Sequence, residues 1–272
     1  MNETIRRETY NQAKEWVLKA GEIIRDSLYE QRTIKSKEAK NDLVTDIDKM
    51  VELFFVKEIK RTYPKHLILS EERYGDKEIT DNGTVWAIDP IDGTRNFVNQ
   101  KRNFAVSIAV IHQGVGEIGF VYDVVEEVLY SALKSEGAFK NNKRLHNLET
   151  KKRLEEASLS FNHDLLCESD EFDRNAMERL TNQVRSVRSK GSAALEIIQV
   201  AEGLSDGYIA KKLSPWDIAA ATIILNEVNG TATRSDGNKI NLFEERTIFV
   251  SNKGIHKMII QNYLKYWRRK LI

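Results

Sequence analysis

The chain has 272 residues, 41% hydrophobic and 31% charged, a balance that suits a globular protein and excludes a disordered one. Its 42 Lys and Arg against 41 Asp and Glu leave a net charge of +1, so no global field draws it to nucleic acid or acidic membranes. Cys167 is the single cysteine, which excludes an internal disulfide and fits a reducing compartment. Nothing marks it as a low-pKa nucleophile, so it reads as structural or surface. No signal-peptide core opens the chain and no run nears the roughly 18 apolar residues of a membrane span, so the expectation is a cytoplasmic protein.

Residues 3–30 place Ile5, Ala13, Val17, Ala20, Ile24 and Leu28 at helical spacing, with Thr9 completing the face, and predict an amphipathic packing helix. Residues 31–40 carry four Lys or Arg and read as a loop, either solvated or close to an anionic substrate. Thr45 and Asp48 resemble a capping box ahead of a helix that buries Ile47, Val51, Phe54 and Phe55. On pattern alone Asp48 need only be a cap. Leu67 to Leu69 is a short strand ending at Ser70-Glu71-Glu72. Phe104 to Ile111, Val115 to Tyr122 and Val128 to Leu133 read as an antiparallel meander, continued by Glu136 to Phe139 and a turn at Asn141-Asn142. Residues 146–156 are charged and form a seam between two halves.

Beyond the seam, strands and helices alternate. Strands are expected at Ala157 to Phe161, Val184 to Arg188, Gly207 to Ala210 and Thr247 to Val250. Helices are expected at 171–183, 192–202, 214–225 and from Gly254 to about Arg268. The segment after Asp217 is apolar on nearly every face and should be a buried helix, with Asp217 in its first turn. Such a carboxylate needs a partner. The basic tail Arg268-Arg269-Lys270 reads as a solvated helix end.

The chemistry gathers around Trp86-Ala87-Ile88-Asp89-Pro90-Ile91-Asp92-Gly93-Thr94-Arg95-Asn96-Phe97. Trp86 to Ile88 end a buried strand. Pro90 keeps Asp89 extended, Gly93 permits a close bend, and Thr94 can cap a helix. Two carboxylates beside backbone N–H groups suit a hard cation on one side and a phosphate on the other. Asp-Pro and Asp-Gly are also ordinary turn dipeptides. If the Leu67–Leu69 strand neighbours this one, Glu71 and Asp89 converge at one sheet edge.

These residues resemble the inositol monophosphatase family. Trp86 to Phe97 is similar to its first signature, and Trp216-Asp217-Ile218-Ala219-Ala220-Ala221, ending Glu227-Val228-Asn229-Gly230, to its second. Asp42-Leu43-Val44-Thr45-x-x-Asp48, Glu71-Glu72 and Glu136 to Phe139 fall in the same order, so the likeness spans essentially the whole chain. It implies an α/β fold, a layered αβαβα sandwich with a mainly antiparallel N-terminal sheet and an α/β C-terminal half. A single domain over 1–272 would divide near 1–146 and 156–272, with the site between the halves.

The resemblance further implies hydrolysis of a small phosphate monoester of the inositol-1-phosphate type, sensitive to lithium, by a homodimer using two or three Mg²⁺ ions. Glu71, Asp89 and the carbonyl of Ile91 would hold the first ion. Asp89, Asp92 and Asp217 would hold the second. Thr94, hydrogen-bonded to Asp48, would orient the attacking water, with Glu71 in the catalytic set. Phosphate and substrate contacts would fall to Asp92, Gly93, Thr94, Ser192, Ala193 and position 210. The donor set contains only oxygens, as Mg²⁺ prefers. Inositol-specific members carry a glutamate where this chain has Ala210, followed by Lys211 and Lys212. A more basic pocket would suit NADP, a 3′-phosphoadenosine nucleotide or a sugar bisphosphate, while both lysines also read as plain surface. A non-enzymatic alternative is a binding partner of transcription machinery.

Overall fold

The computed structural model describes residues 1–28, 34–36, 43–162, 165 and 174–264. Helix α1 (Glu3–Ser27) opens the chain, followed by a small antiparallel pair, β1 (Ile34–Ser36) with β2 (Leu43–Thr45), and by α2 (Asp46–Thr62). The loop expected over 31–40 is thus corrected at 34–36, which is a strand; its other residues lie outside the described ones. In α1 the expected buried face holds from Thr9 to Leu28 and gains Trp16, which packs near Trp86 and Tyr63. Ile5 departs from it and is half exposed. The first turn is held instead by ion pairs of Arg6 and Arg7 with Glu117 and Glu136.

Next come β3 (Leu67–Ser70), β4 (Thr84–Asp92), α3 (Thr94–Asn99), β5 (Ala105–His112), β6 (Val115–Asp123), β7 (Val128–Leu133), β8 (Gly137–Lys140) and β9 (Lys143–Arg144). The seven strands form one sheet in chain order, antiparallel throughout except for the β3–β4 pair. Alternation explains its two faces. Trp86 and Ile88 on β4, with Val106, Ile108 and Val110 on β5, face α1 and α2. Ala87, Ala105, Ala109 and Ile111 point the other way.

The second half contributes β10 (Ser158–Phe161), α4 (Arg174–Gln183), β11 (Ser186–Arg188), α5 (Ala193–Ala201), β12 (Gly207–Leu213), α6 (Pro215–Glu227), β13 (Thr231–Arg234), β14 (Arg246–Ser251) and α7 (Lys253–Ile259), which runs into a π-helical turn at Ile260–Leu264. Its sheet order is β11-β10-β12-β14-β13. Strand β13 had no clear signal in the sequence, since Thr231 to Arg234 is only partly buried along its whole length. Cys167 and the basic tail lie outside the described residues.

Three apolar clusters stack between these elements, so the order is helix, sheet, helix, sheet, helix. The middle layer is α5 and α6, packed between Ala87 and Ala109 of one sheet and Tyr208, Ala210 and Val250 of the other. A helix pressed from both sides must be apolar all round, and Ile218 to Leu225 are all buried. Close approach needs small residues. A Cβ on Gly119 would lie 2.5 Å from the Ala220 carbonyl oxygen, and one on Gly116 2.5 Å from Ile223. None of the described helices is long and apolar enough to cross a membrane.

Candidate active site

The parallel β3–β4 pair brings two carboxylates to one sheet edge. Ser70 pairs with Ile88, and the Glu71 amide donates to the Ile88 carbonyl at 3.3 Å. The Glu71 side chain then reaches the carboxyl of Asp89, the convergence expected from the sequence. Pro90 has no N–H for the ladder, and the register against β5 shifts between Asp89 and Asp92. That irregularity aims Asp89 and Asp92 at the same end. Gly93 follows at φ 96, a left-handed geometry that suits glycine, and its carbonyl accepts from the amides of Asn96 and Phe97. Gly93 is therefore the N-cap of α3, and Thr94, expected as the cap, is the first helical residue. The Thr94 hydroxyl donates to the Ile91 carbonyl at 3.1 Å, with Asp48 Oδ1 as its alternative acceptor at 3.4 Å.

Asp48 is the cap that the sequence pattern expected, and its other oxygen is turned to Thr94. Its Oδ2 closes a reciprocal capping box, accepting from the Thr45 amide at 2.9 Å and from the Thr45 hydroxyl. Its Oδ1 faces Thr94. One turn further along α2, the buried Glu52 accepts from the Ser70 hydroxyl and from the amides of Glu72 and Tyr74. Sequence reasoning missed Glu52; its spacing of four from Asp48 was the available signal.

The second half supplies the rest. Asp92 caps α5: its oxygens accept from Ala193 N at 3.2 Å, Ala194 N at 2.7 Å and the Ser192 hydroxyl. Carboxylates suit that end of a helix. Asp217 closes a second capping box with Ser214 at the start of α6. A Cβ on Gly93 would lie 3.3 Å from Ser192 Cβ and 3.2 Å from the Asn103 carbonyl oxygen, so three segments meet at this point. Asn96 ties them, donating to the carbonyls of Asn103 at 2.8 Å and Lys190 at 2.7 Å. This tether carried no role in the sequence reading.

The structure thus brings together Asp48, Glu71, Asp89, Ile91, Asp92, Gly93, Thr94, Ser192 and Ala193, with Asp217 close enough to feel the charge of Asp92 and Glu71. Ala210 differs. Its methyl is fully buried among the middle-layer helices and offers a ligand neither surface nor a polar atom. Lys211 is buried, which rules out the surface reading for it, with its backbone paired to Asn162 across a bulge; Lys212 is exposed at φ 52.

Burial, and then like charge, pushes the carboxyls of Asp89 and Asp217 well above the ordinary range. Burial lifts Asp48 to about 6 against its Thr45 hydrogen bonds, and Asp92 to about 6 against the donors of α5. Among the described residues, no Lys or Arg is ion-paired with Asp48, Asp89, Asp92 or Asp217. Also among them, no three His, Cys, Asp or Glu side chains close into a ready-made metal cage. The carboxylates are turned partly towards backbone donors: Ile91 N for Asp89, α5 for Asp92, Ser214 N for Asp217. An all-oxygen set with unbalanced negative charge fits a hard divalent cation, which would draw these groups inward.

A carboxylate cluster of this kind at a strand end suits the class of metal-assisted phosphoester hydrolases. The chain matches the inositol monophosphatase family over residues 5–268. It is 46% identical to the inositol-1-monophosphatase of Bacillus subtilis over 252 residues, covering 93% of this chain and 95% of that one. Inositol monophosphatase II of Staphylococcus aureus, solved with inositol monophosphate bound, superimposes with a TM-score of 0.85 at 36% identity, covering 95% and 94% of the two chains. An IMPase/NADP phosphatase solved with Mg²⁺ and phosphate gives 0.86 at 28% identity, over 96% and 99%. The chain belongs to the inositol monophosphatase family.

Proposed function

We propose that this protein hydrolyses small phosphate monoesters of the inositol monophosphate type with Mg²⁺. The observation that carries the reading is the meeting of buried Asp89 and Asp92 with Asp217 beside Gly93 and Thr94, without a lysine or arginine counter-charge among the described residues. Glu71, Asp89, the Ile91 carbonyl, Asp92 and Asp217 would hold two or three ions. When bound, Mg²⁺ supplies a water acidified towards neutrality and offsets charge on the departing alkoxide. The chain's own groups do the positioning. Gly93 and Thr94 hold the phosphate through their amides beside Ser192 and Ala193, and the Asn96 tether fixes this cradle. The Thr94 hydroxyl accepts a hydrogen bond from the attacking water once its own hydrogen bond turns from the Ile91 carbonyl to Asp48 Oδ1. Water oxygen bonds to phosphorus as the ester P–O bond breaks, and the leaving oxygen takes up a proton from water, so one water is consumed for each alcohol and phosphate released.

Phosphate release from a substrate panel, with and without Mg²⁺, tests the proposal. Asp89→Asn should abolish turnover and weaken Mg²⁺ binding; near-normal activity would sink the metal assignment. Lithium inhibition, the state in which a staphylococcal relative was solved, is expected here too. Ala210 supplies no acceptor for a ring hydroxyl, which favours tolerance of other alcohols. Relatives have been solved with 2′-AMP and with NADP. Comparing kcat/KM for inositol-1-phosphate, 2′-AMP and NADP decides the preference. A homodimer belongs to the same proposal and is tested by sedimentation velocity.

A further inference from the structure

We propose that Glu52 is a positioning residue that sets Glu71 through the backbone of the turn after β3. This rests on reading Glu71 as a carboxylate that faces the metal. Glu52 is fully buried on α2, where a carboxylate is costly unless its oxygens are satisfied. Its Oε1 accepts from the Ser70 hydroxyl at 2.6 Å and the Tyr74 amide at 2.8 Å; its Oε2 accepts from the Glu72 amide at 2.7 Å. These donors flank Glu71 on both sides, so the turn closes around the carboxylate of another element. The rest of the turn fits the same closure. Ser70 Oγ also accepts from Gly75 N at 3.2 Å, and Asp76 N donates to the Ile68 carbonyl at 2.8 Å. Gly75 passes so near that a Cβ would sit 2.3 Å from that carbonyl oxygen.

The helix gives this arrangement its purpose. Asp48 and Glu52 are four residues apart and share one face of α2. Asp48 reaches Thr94 at the end of β4, and Glu52 clamps the turn at the end of β3. One rigid rod therefore sets the spacing between the water-orienting hydroxyl and the Glu71 carboxylate. A core that needed only filling at position 52 would be served by an apolar side chain, as at Val51 and Phe55 beside it. The carboxylate is needed because three donors point inward from the turn.

The test uses the full chain as wild type, Glu52→Ala, Glu52→Gln and Ser70→Ala. Three readings are taken: amide hydrogen exchange of residues 71–75 without metal, Mg²⁺ binding by calorimetry, and phosphate release against Mg²⁺ concentration. Supporting partners of metal ligands typically contribute about 10–100-fold in metal affinity, so Glu52→Ala should weaken Mg²⁺ binding by at least about tenfold. It should also speed exchange at 71–75, while kcat at saturating Mg²⁺ changes far less. Glu52→Gln keeps a carbonyl for Ser70 and Tyr74 but turns its NH2 towards the Glu72 amide, so it should recover only part of the loss. Unchanged Mg²⁺ affinity in Glu52→Ala, or wild-type affinity and exchange in Glu52→Gln, would overturn the proposal. If Glu52→Ala does not fold, Ser70→Ala should show the same two effects more weakly, and wild-type exchange and affinity there would overturn it. Inactivity of the wild type on every substrate would sink the phosphatase reading and leave the exchange and calorimetric results standing.

Discussion

Replacing Gly119 by alanine asks whether the height of α6 above the first sheet sets the geometry of the site. The new Cβ would lie 2.5 Å from the Ala220 carbonyl oxygen and 3.2 Å from both the Ala220 carbonyl carbon and Ile223 Cβ. Ordinary contact begins at 3.4 Å. The nearest atom is helix backbone, so no flexible side-chain end can yield, and α6 must retreat by about 1 Å in a close-packed interior. Overpacking of this kind costs about 1–3 kcal/mol. Asp217 lies in the first turn of the same helix and moves with it. A misplacement of about 1 Å at a reacting centre costs about 10²-fold in rate. Gly119→Ala should therefore lower kcat/KM by about 10–100-fold and lower the urea midpoint as well. Gly114→Ala is the control, since a Cβ there meets nothing within 4 Å; its φ of 72 costs some stability but not activity. Wild-type kcat/KM in Gly119→Ala, with stability reduced, would refute the link between helix height and site geometry.

Thr45→Val removes the hydroxyl that accepts from Ile47 N and Asp48 N and donates to Asp48. It should cost about 1 kcal/mol in chemical denaturation and lower kcat as Asp48 loosens. Asn96→Ala frees the carbonyls of Asn103 and Lys190, and should raise KM more than it lowers kcat, measured with the preferred substrate. His256, buried against Phe249 and bonded to Ser251 and Thr233, is held to about 4 by burial, from 6.5. Its folded value lies below its unfolded one, so the unfolded chain takes up the proton first. The stability of the neutral ring is complete above pH 6.5 and is lost as pH falls towards 4. The full loss is about 3 kcal/mol. Denaturation midpoints at pH 7.5, 5.5 and 4.5 should fall for the wild type and fall less for His256→Asn; parallel profiles would refute it.

Much of this arrangement was legible before the fold was known, because period and punctuation carry physical meaning. The apolar runs of β4 and β5, the apolar run after Asp217 and the turn residues at 89–94 each point to one local structure. The parallel β3–β4 pair turned two separate acidic strand ends into one edge, as expected if the two strands were neighbours. What the sequence hid were long-range hydrogen bonds. Glu52 lies between buried Val51 and Phe55 and looks like one more surface acid of an amphipathic helix. Asn96 looks like a helix residue, yet its amide spans to Lys190, 94 residues away. Ile5 fits the α1 face by spacing, but the ion pairs beside it, not its periodicity, hold that turn. Ala210 lies at a position that the resemblance ties to substrate, and only the packing of β12 beneath the middle helices reveals a closed methyl.

The hold of Asp92 on α5 carries a consequence for how tightly cations are held. Its oxygens already accept from one hydroxyl and two amides, so any cation that draws on Asp92 competes with the fastening of a helix. Among the described residues, Asp89 accepts from the Ile91 amide and otherwise faces fellow carboxylates. The two aspartates of the same turn are thus unequal donors, and under the proposed metal assignment an ion that draws on Asp92 should bind more weakly than one that draws on Asp89 alone. The grip is also a rheostat: removing the Ser192 hydroxyl would strengthen Asp92 as a donor at the expense of the helix cap.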